Sequence, residues 1–302
     1  IAANDVGVAS TGLIGQPLPL GPIKDAMPAL AASLSTGGSG DAAEAIMTTD
    51  TKRKQVAVRF PIGDKLCTIG GIAKGSGMIH PNMATMLCFV TTDADIAPEL
   101  LQKACKDVAD ETFNMISVDG DTSTNDMLAI LASGAAANEP IKSLGKEYYH
   151  FQQGLMIVCR RLARELAADG EGATKLLECA VTGAPDCQTA KKVAKSVICS
   201  SLFKAAMFGG DANWGRVLCA IGYTDAEFDV SRVGVTLSSA AGSVPVCSNG
   251  AGVPFSEEQA AKILAQPEIR IEIDMAQGGE TATAWGCDLT YDYVKINGDY
   301  RT

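Results

Sequence analysis

Basic clusters are missing from this sequence of 302 residues. It contains 25 Lys and Arg against 35 Asp and Glu, which gives a formal net charge of −10 at pH 7, and it has no run of five or more basic residues. Binding of a phosphate polyanion requires clustered Lys and Arg. The composition therefore argues against a nucleic-acid partner.

Histidine is scarce, and the cysteines follow no metal-binding pattern. His80 and His150 are the only histidines, and neither has a cysteine at ligand spacing. None of the ten cysteines forms a CxxC motif, and most lie in apolar runs such as Val197–Cys199. The sequence therefore predicts no metal site, and it predicts buried, reduced thiols in a cytosolic protein.

Long hydrophobic segments and an initiating methionine are also missing. No apolar run reaches 18 residues, which is about the length that a membrane-spanning helix needs, and no signal peptide is present. These features predict a protein that neither spans a membrane nor is secreted. The first residue is Ile1, which suggests a processed or trimmed product.

The common nucleotide and hydrolase signatures are absent as well. No GxGxxG or GxSxG motif occurs, and Gly70 and Gly75 have the spacing of a phosphate loop but are followed by Ser76 instead of lysine. Cysteine–histidine catalysis through His80 is an alternative, although a histidine before proline is more typical of a structural turn. The glycines therefore indicate backbone freedom near some other site.

The acidic segment DGDTSTND, residues 119–126, resembles a calcium-binding loop only in composition. Counted from Asp119, position 6 is Thr124 where an EF-hand needs glycine, and position 12 is Ile130 where it needs a bidentate glutamate. An Asx-rich turn, in which side-chain oxygens accept from backbone N–H groups, is the favoured interpretation. A role on the substrate side stays open.

Hydrophobic periodicity predicts a layered α/β fold with mixed or largely antiparallel sheets, because helices and strands occur without strict β–α–β alternation. The C-terminal third is rich in predicted strands. Strands are predicted over residues 5–14, 56–60, 65–72, 175–183, 233–237, 269–273 and 282–296. Helices are predicted over residues 23–34, 97–110, 152–168 and 189–208.

The segment KGSGMIHPNMATMLCFV, residues 74–90, places the small pair Ala84–Thr85 between a glycine-rich run and an apolar, strand-like run. A threonine hydroxyl becomes an effective nucleophile when its own α-amino group, freed by cleavage of the preceding peptide bond, acts as the base. Such an amine has a pKa of about 7.7–8.0, which suits a general base near neutral pH. The alternative from these residues alone is an ordinary buried start of a strand.

Six motifs together resemble the ornithine acetyltransferase, or glutamate N-acetyltransferase, family. The resemblance covers the whole chain, and it implies a layered mixed-sheet fold of the ornithine acetyltransferase and N-terminal-nucleophile aminopeptidase type. It also implies self-cleavage between Ala84 and Thr85. Family precursors carry a sizeable segment before the STG motif, whereas only ten residues precede Thr11 here. Besides KGSGMIHPNMATML, the motifs are VASTGLIG (8–15), MTTDT (47–51), DGEGATK (169–175), GGDANWGR (209–216) and NGDYRT (297–302).

The resemblance also assigns roles to individual residues. Thr85 would attack the acetyl carbonyl, and Thr11 and Gly12 would form the oxyanion hole with a hydroxyl and a backbone N–H. Lys74 would pair with a substrate carboxylate and Glu171 with an ammonium. Without the resemblance, both charges would be assigned to the solvated surface. The implied substrate-binding residues are Thr48, Lys74, Thr85, Glu171, Asn297 and Thr302.

The implied reaction is a ping-pong acetyl transfer of arginine biosynthesis. N2-acetylornithine acylates Thr85 and ornithine leaves, after which glutamate takes the acetyl group and becomes N-acetylglutamate. No metal or tightly bound cofactor is implied, and the motifs leave open whether acetyl-CoA also serves as a donor. The alternatives are a hydrolase or aminopeptidase, in which water takes the acyl group, and an unprocessed, inactive chain.

The resemblance finally predicts how the chain is divided and assembled. Cleavage would give residues 1–84, the C-terminal part of an α chain, and residues 85–302, a β chain that begins at the nucleophile and ends in a strand-rich lobe. Two copies of each chain would form a heterotetramer. The expected location is the bacterial cytoplasm, or the mitochondrion for a eukaryotic protein.

Overall fold

The computed structural model describes residues 2–80 and 86–299, so the predicted Ala84, Thr85 and Thr302 lie outside the described residues. Helices and strands follow one another irregularly along the chain. The helices are α1 (Leu20–Ala32), α2 (Ser39–Ala45), α3 (Pro98–Glu111), α4 (Lys146–Ala168), α5 (Cys187–Cys199), α6 (Ser201–Gly209), α7 (Trp214–Gly222), α8 (Glu257–Leu264) and α9 (Tyr291–Asp299). The strands are β1 (Lys54–Ile62), β2 (Lys65–Lys74), β3 (Leu87–Thr92), β4 (Ile116–Ser117), β5 (Met127–Ala132), β6 (Leu176–Ala184), β7 (Gly234–Ser239), β8 (Gly242–Ser248), β9 (Ala251–Gly252), β10 (Glu268–Asp274) and β11 (Glu280–Cys287).

The described strands form two sheets of mixed direction. One sheet has the order β1-β2-β3-β5, in which β3 and β5 are parallel and the other pairs are antiparallel. The second has the order β4-β11-β6-β10-β7-β8-β9, with parallel pairs at β4–β11 and β6–β10. The layered α/β fold with mixed sheets that the sequence predicts is thus confirmed.

Helix α4 is the layer between the two sheets. It contacts β1 and β2 on one side and β6 and β11 on the other, and its buried residues occur at helical spacing. The approach to β2 is close, because a Cβ at Gly71 would lie 3.0 Å from Leu162 Cδ1. Glycine at that point of the strand lets the helix pack against the sheet. Helix α5 contacts the same two strands, β6 and β11, and its buried residues extend the core beyond them.

The N-terminal run is not a strand, contrary to the prediction for residues 5–14. Residues 6–13 belong to neither sheet. Val6 and Val8 stand at alternate positions, as in a strand with one buried face, but both side chains are exposed. A hydrogen-bonded turn follows this run, over residues 13–16. Gln16 N donates to Leu13 O at 3.2 Å, and Gly15 has the positive φ of 80° that such a turn accommodates in glycine.

The single helix predicted over residues 189–208 is two helices, α5 and α6, which meet at Ser200. Ser200 has an extended ψ of 111°, and its hydroxyl accepts from Phe203 N at 3.3 Å. That geometry is an N-cap, which serine favours because its side chain satisfies a backbone N–H that the helix leaves unpaired. Continuous apolar periodicity concealed the break.

The strand predicted over residues 282–296 is wrong in its second half. Strand β11 ends at Cys287, and helix α9 follows from Tyr291. Between them, Asp288 Oδ1 accepts from Thr174 N at 2.8 Å, and Thr290 Oγ1 accepts from Tyr293 N at 3.3 Å. These two side chains end the strand and begin the helix, although Tyr, Val and Ile dominate the sequence and favour strands.

All ten cysteines lie in the described residues, and none is in a disulfide. Six are buried, as the apolar runs predict, whereas Cys187 and Cys219 are exposed. Within residues 2–80 and 86–299, no group of three or more His, Cys, Asp or Glu is arranged to hold a metal ion. None of the described helices is both long enough and apolar enough to cross a membrane.

Candidate active site

A cavity of about 290 Å³ forms where six segments of the chain meet. They are the loop after Thr11, the MTTDT motif, the end of β2 with the turn after it, the DGDTSTND loop, the DGEG motif and helix α9. A larger cavity of about 540 Å³ beside β11 contains none of the predicted site residues. The predicted residues in the wall of the smaller cavity are Thr11, Gly12, Thr48, Lys74, Glu171 and Asn297.

Lys74 supplies the positive charge of this cavity. It is the last residue of β2, its side chain is only 4% exposed, and Nζ donates to Thr48 Oγ1 at 3.3 Å. Burial lowers the pKa of Lys74, and the carboxylates of Asp50 and Glu171 oppose that shift. A buried ammonium of this kind gains most from an anionic partner, such as a substrate carboxylate.

Glu171 supplies the negative charge, and its carboxylate is held on both oxygens. Oε1 accepts from Thr49 Oγ1 at 2.8 Å, and Oε2 accepts from Asn297 Nδ2 at 2.9 Å. Gly77 faces the carboxylate so closely that a Cβ there would lie 2.4 Å from it. Any side chain at position 77 would displace Glu171, so glycine is required for this arrangement.

Asn297 is placed by helix α9, the element that the sequence did not predict. Its amide nitrogen donates to Glu171 Oε2 and also to Tyr293 O, the latter at 3.1 Å. Both amide N–H groups are therefore used within the protein, and the side-chain oxygen is the group that can accept from a substrate. A strand over residues 288–296 would not have turned this amide toward Glu171.

Thr11 and Gly12 lie in the same wall, next to Leu13 and Ile14. Thr11 is half-buried and Gly12 is exposed. The two residues proposed for the oxyanion hole thus border the cavity that holds the two charges. Their role as oxyanion donors stays a prediction.

Thr49 and Ser76 are site residues that the sequence did not reveal. Their hydroxyl oxygens lie 2.6 Å apart, and Thr49 also reaches Glu171. Ser76 is 2% exposed, and its backbone oxygen accepts from Glu171 N at 2.9 Å. The MTTDT motif contains two adjacent threonines, and only the fold shows that the second one, rather than Thr48, bonds to the glutamate.

The DGDTSTND loop is an Asx-type turn as favoured, and it also borders the cavity. Asp119 Oδ1 accepts from Asp121 N at 3.3 Å, which is the local side-chain-to-backbone pattern. The same carboxylate accepts from Met78 N at 2.7 Å and from Ile79 N at 3.0 Å, so it anchors the turn after β2. Residues 123–125 line the cavity, which supports the substrate-side role that the sequence left open.

The structure describes the chain up to residue 80 and again from residue 86, so the predicted cleavage point lies between two described segments. Leu87, the first residue of β3, pairs with Lys74 at the end of β2. Met86 is buried, and its backbone oxygen accepts from Met127 N at 2.9 Å. Met86, which directly follows Thr85 in the chain, is therefore the neighbour of Leu87, the residue that pairs with Lys74.

His80, the last described residue before the predicted cleavage point, does not line the cavity. Its Nδ1 lies 3.0 Å from Ser117 Oγ and 3.6 Å from Cys199 Sγ. Burial, together with the positive charge of Lys195, lowers the pKa of His80 to about 4. The imidazole is thus neutral at pH 7 and is held by groups on β4 and α5.

The fold and the site together define an α/β protein with a small cavity, which is lined by one positive and one negative side chain and lies where several loops meet. More particularly, the chain belongs to the ArgJ family, whose model matches residues 1–302. It is 54% identical over 297 residues to the arginine biosynthesis bifunctional protein ArgJ of Symbiobacterium thermophilum, a match that covers 98% of this chain and 73% of the relative. It is 51% identical over 302 residues to the arginine biosynthesis bifunctional protein ArgJ 1 of Clostridium acetobutylicum, covering 100% of this chain and 74% of the relative.

A solved structure extends the comparison to three dimensions. The crystal structure of the arginine biosynthesis bifunctional protein argJ from Bacillus halodurans, at 2.00 Å resolution, is similar to this chain with a TM-score of 0.68 and 45% sequence identity. The match covers 72% of this chain and 100% of that chain. The layered fold and the family membership therefore agree with the resemblance that the six motifs indicated.

Proposed function

We propose that this protein is a self-processing acetyltransferase of arginine biosynthesis, which moves the acetyl group of N2-acetylornithine to glutamate. Its main support is the convergence of Thr11, Gly12, Thr48, Lys74, Glu171 and Asn297 on one cavity, although they come from five separate parts of the sequence. Relatives at about half identity are named arginine biosynthesis bifunctional proteins, which agrees with this reaction.

The cavity chemistry suits both amino acids. N2-acetylornithine and glutamate each carry a carboxylate and an ammonium, and the wall presents the ammonium of Lys74 and the carboxylate of Glu171. Charge-assisted hydrogen bonds to both ends would orient the ligand. A volume of about 290 Å³ suits one amino acid at a time. One site used in turn by donor and acceptor is compatible with a ping-pong reaction, in which the first product leaves before the second substrate binds.

In the first half-reaction, the Thr85 hydroxyl attacks the acetyl carbonyl of N2-acetylornithine while the α-amino group of Thr85 takes the hydroxyl proton. The developing oxyanion accepts hydrogen bonds from the Thr11 hydroxyl and the Gly12 N–H. The carbon–nitrogen bond breaks, the nitrogen takes the proton from the α-amino group, and ornithine leaves. Thr85 now carries the acetyl group as an ester.

In the second half-reaction, the unprotonated amino group of glutamate attacks that ester. The α-amino group of Thr85 takes a proton from the attacking nitrogen and returns it to the departing threonine oxygen. N-acetylglutamate leaves, and Thr85 is restored. No cofactor takes part in either step.

The nucleophile would arise by cleavage between Ala84 and Thr85. Cleavage there yields residues 85–302, which are 218 of the 302 residues, or 72% of the sequence. The Bacillus halodurans chain matches the same share of this protein over its own full length. A relative solved as a chain of that extent supports the division into residues 1–84 and 85–302.

Three further features belong to the proposal. The word bifunctional in the names of the relatives supports acetyl-CoA as a second donor, with glutamate as the acceptor. The two chains would assemble as a heterotetramer of two α and two β chains. The named relatives come from bacteria, which supports the bacterial cytoplasm as the location.

An acetyl-transfer assay tests this function. Purified protein is incubated with N2-acetylornithine and glutamate, and the products are separated by mass spectrometry. Ornithine and N-acetylglutamate in equal amounts are expected. Free acetate that does not depend on glutamate would instead indicate the hydrolase, and no product from an uncut chain would indicate an inactive precursor. Replacing the donor by acetyl-CoA in the same assay tests the second activity.

A further inference from the structure

Three buried charges next to the cavity form an ion triad, made of Asp50, Lys54 and Asp169. Lys54, at the start of β1, is 1% exposed, and its Nζ donates to Asp50 Oδ1 at 2.7 Å and to Asp169 Oδ2 at 2.6 Å. A third bond goes to Lys52 O at 3.3 Å, so every ammonium hydrogen has a partner. None of the three triad residues lines the cavity itself.

Each carboxylate of the triad also holds backbone N–H groups in the chain segments that supply the cavity wall. Asp50 accepts from Gly75 N at 2.6 Å and from Thr48 N at 3.2 Å, so it fixes the residue after Lys74 and the threonine that Lys74 contacts. These bonds tie the end of β2 to the MTTDT motif.

Asp169 makes a second connection, between the DGEG motif and the MTTDT motif. It accepts from Thr51 N at 3.0 Å, and its other oxygen accepts from the Thr51 hydroxyl. Asp169 stands two residues before Glu171 in the DGEG motif. The triad therefore joins the three segments that carry Thr48, Lys74 and Glu171.

Stability alone does not account for this arrangement. Removing ions from water costs about as much as their mutual attraction returns, and buried ion pairs can often be replaced by apolar residues without loss of stability. The hydrogen bonds of the triad are instead directed at the backbone of Thr48 and of Gly75 and Thr51, which lie in the segments that carry the wall residues. A rigid second layer of this kind is what holds binding groups in a fixed geometry.

We propose that the triad is a positioning unit, which sets the distance between the Lys74 ammonium and the Glu171 carboxylate and thereby the length of diamino-acid donor that the cavity accepts. This inference rests on the proposed function, because it takes those two charges as the groups that hold the substrate. The triad residues touch no substrate and act only through the loops that they connect.

Asp169→Asn is the informative variant. It keeps the shape of the side chain and leaves Lys54 paired with Asp50, whereas Lys54→Met would leave two buried carboxylates without their cation and can prevent folding. Asp107→Asn on α3 is the matched control, because Asp107 accepts from Lys103 at 2.8 Å in a partly exposed pair, also accepts from Gln152 Nε2 at 3.0 Å, and does not line the cavity.

The measurement is kcat/KM for N2-acetylornithine and for its longer homologue N2-acetyl-lysine, with glutamate saturating. We expect Asp169→Asn to lower kcat/KM for N2-acetylornithine by about 10- to 100-fold, the order of loss that a small misplacement of binding groups produces. We also expect it to reduce the preference for N2-acetylornithine over N2-acetyl-lysine by about tenfold, since one methylene is discriminated by roughly 10- to 200-fold in a well-formed pocket. Asp107→Asn should leave both values unchanged.

Amide hydrogen exchange gives a readout that does not depend on turnover. Faster exchange in peptides covering residues 47–54 and 169–175 is expected for Asp169→Asn and not for Asp107→Asn. If Asp169→Asn exchanges faster but keeps the wild-type preference for N2-acetylornithine over N2-acetyl-lysine, the positioning role is overturned and the triad is merely structural. Unchanged exchange would overturn it as well. Failure of the proposed function would show separately, as wild-type protein that transfers no acetyl group.

Discussion

At the scale of single residues, the cavity depends on two opposite charges that face the same small volume. Lys74 is nearly fully buried, and among the described residues its Nζ donates one hydrogen bond, to the Thr48 hydroxyl. Glu171 is already bonded to Thr49 and Asn297. The lysine therefore has more to gain from a substrate carboxylate than the glutamate has from an ammonium, because a buried charge is costly until it is paired.

Lys74→Ala should raise the KM for both N2-acetylornithine and glutamate while kcat changes less. A hydrogen bond to a charged group contributes about 1.5–3 kcal/mol, which corresponds to roughly a 10- to 100-fold increase in KM. Steady-state kinetics with each substrate varied in turn checks this. Lys65→Ala, at the exposed start of the same strand, is the control and should behave like wild type. An unchanged KM for both substrates in Lys74→Ala would contradict the carboxylate-binding role.

His80 should make stability depend on pH in a defined window. Its pKa is lowered to about 4 in the folded protein, whereas an unfolded histidine titrates near 6.5. Between these values the unfolded chain binds a proton that the folded protein does not, so stability falls as the pH drops from about 6.5 toward about 4. Above pH 6.5 both states are neutral at this position, and the residue adds no pH dependence.

The test compares Tm at pH 7 and pH 5 for wild type, His80→Gln and His150→Gln. His80→Gln should lose less Tm on acidification than wild type, because the substitution removes the proton uptake by the unfolded chain. His150→Gln changes the other histidine and should keep the wild-type dependence. Equal losses of Tm in all three proteins would show that His80 is not held neutral by its surroundings.

Sequence motifs were sufficient to find the charged residues of the cavity, but not the residues that form hydrogen bonds to them or hold their loops in place. Lys74, Glu171 and Asn297 stand in motifs whose order could be recognised, and the structure places all three in one wall. Thr49 and Ser76 could not be assigned, because a hydroxyl gives no signal until its neighbours in space are known. The Asp50–Lys54–Asp169 triad was invisible for the same reason, since its members come from two distant parts of the chain.

At the scale of elements, the predictions of helices and strands succeeded where the spacing of apolar residues stayed regular along the whole element. They failed where a hydrogen bond from a polar side chain ended one element and began the next. Strands β1, β2 and β6 and helices α3 and α4 lie where alternation or helical spacing placed them. The breaks at Ser200 and Thr290 depend on single side-chain-to-backbone hydrogen bonds. Such bonds compete with regular structure, and apolar periodicity does not record them.

Ser200→Ala should destabilise the protein through loss of the N-cap of α6. Substitution of a capping serine by alanine costs about 1 kcal/mol, with a range of roughly 0.5–2 kcal/mol. Urea unfolding in the Thr85→Ala background, where the chain is expected to stay in one piece, measures the change. Ser201→Ala, one residue inside the helix and exposed, should shift the midpoint much less. Equal effects of the two substitutions would contradict the capping assignment.

At the scale of the whole molecule, the predicted cleavage point lies inside a shared structure. Strand β2 precedes it and β3 follows it, and the two strands pair from Ile69↔Thr92 to Lys74↔Leu87. The cavity is shared in the same way. Lys74 comes from the first part of the chain, whereas Glu171 and Asn297 come from the second. Neither part could form the sheet or the site alone.

The two chains should therefore remain together after cleavage. In size-exclusion chromatography under native conditions, residues 1–84 and 85–302 are expected to elute in one peak with full acetyl-transfer activity. They should separate only when denaturant disrupts the four-stranded sheet and the contacts of α4. The mass of the native peak by light scattering also tests the proposed heterotetramer. Separation of the two chains in native buffer would contradict the shared sheet.

The most direct test of the proposed chemistry is the intact mass of the purified protein under denaturing conditions, before and after incubation with N2-acetylornithine alone. Two chains that divide between Ala84 and Thr85 are expected, with a gain of one acetyl group on the chain that begins with Thr85. Thr85→Ala should give neither the cleavage nor the acetyl group. A single uncut mass near 31.3 kDa, or cleavage without acetylation of that chain, would contradict the role of Thr85 as the nucleophile.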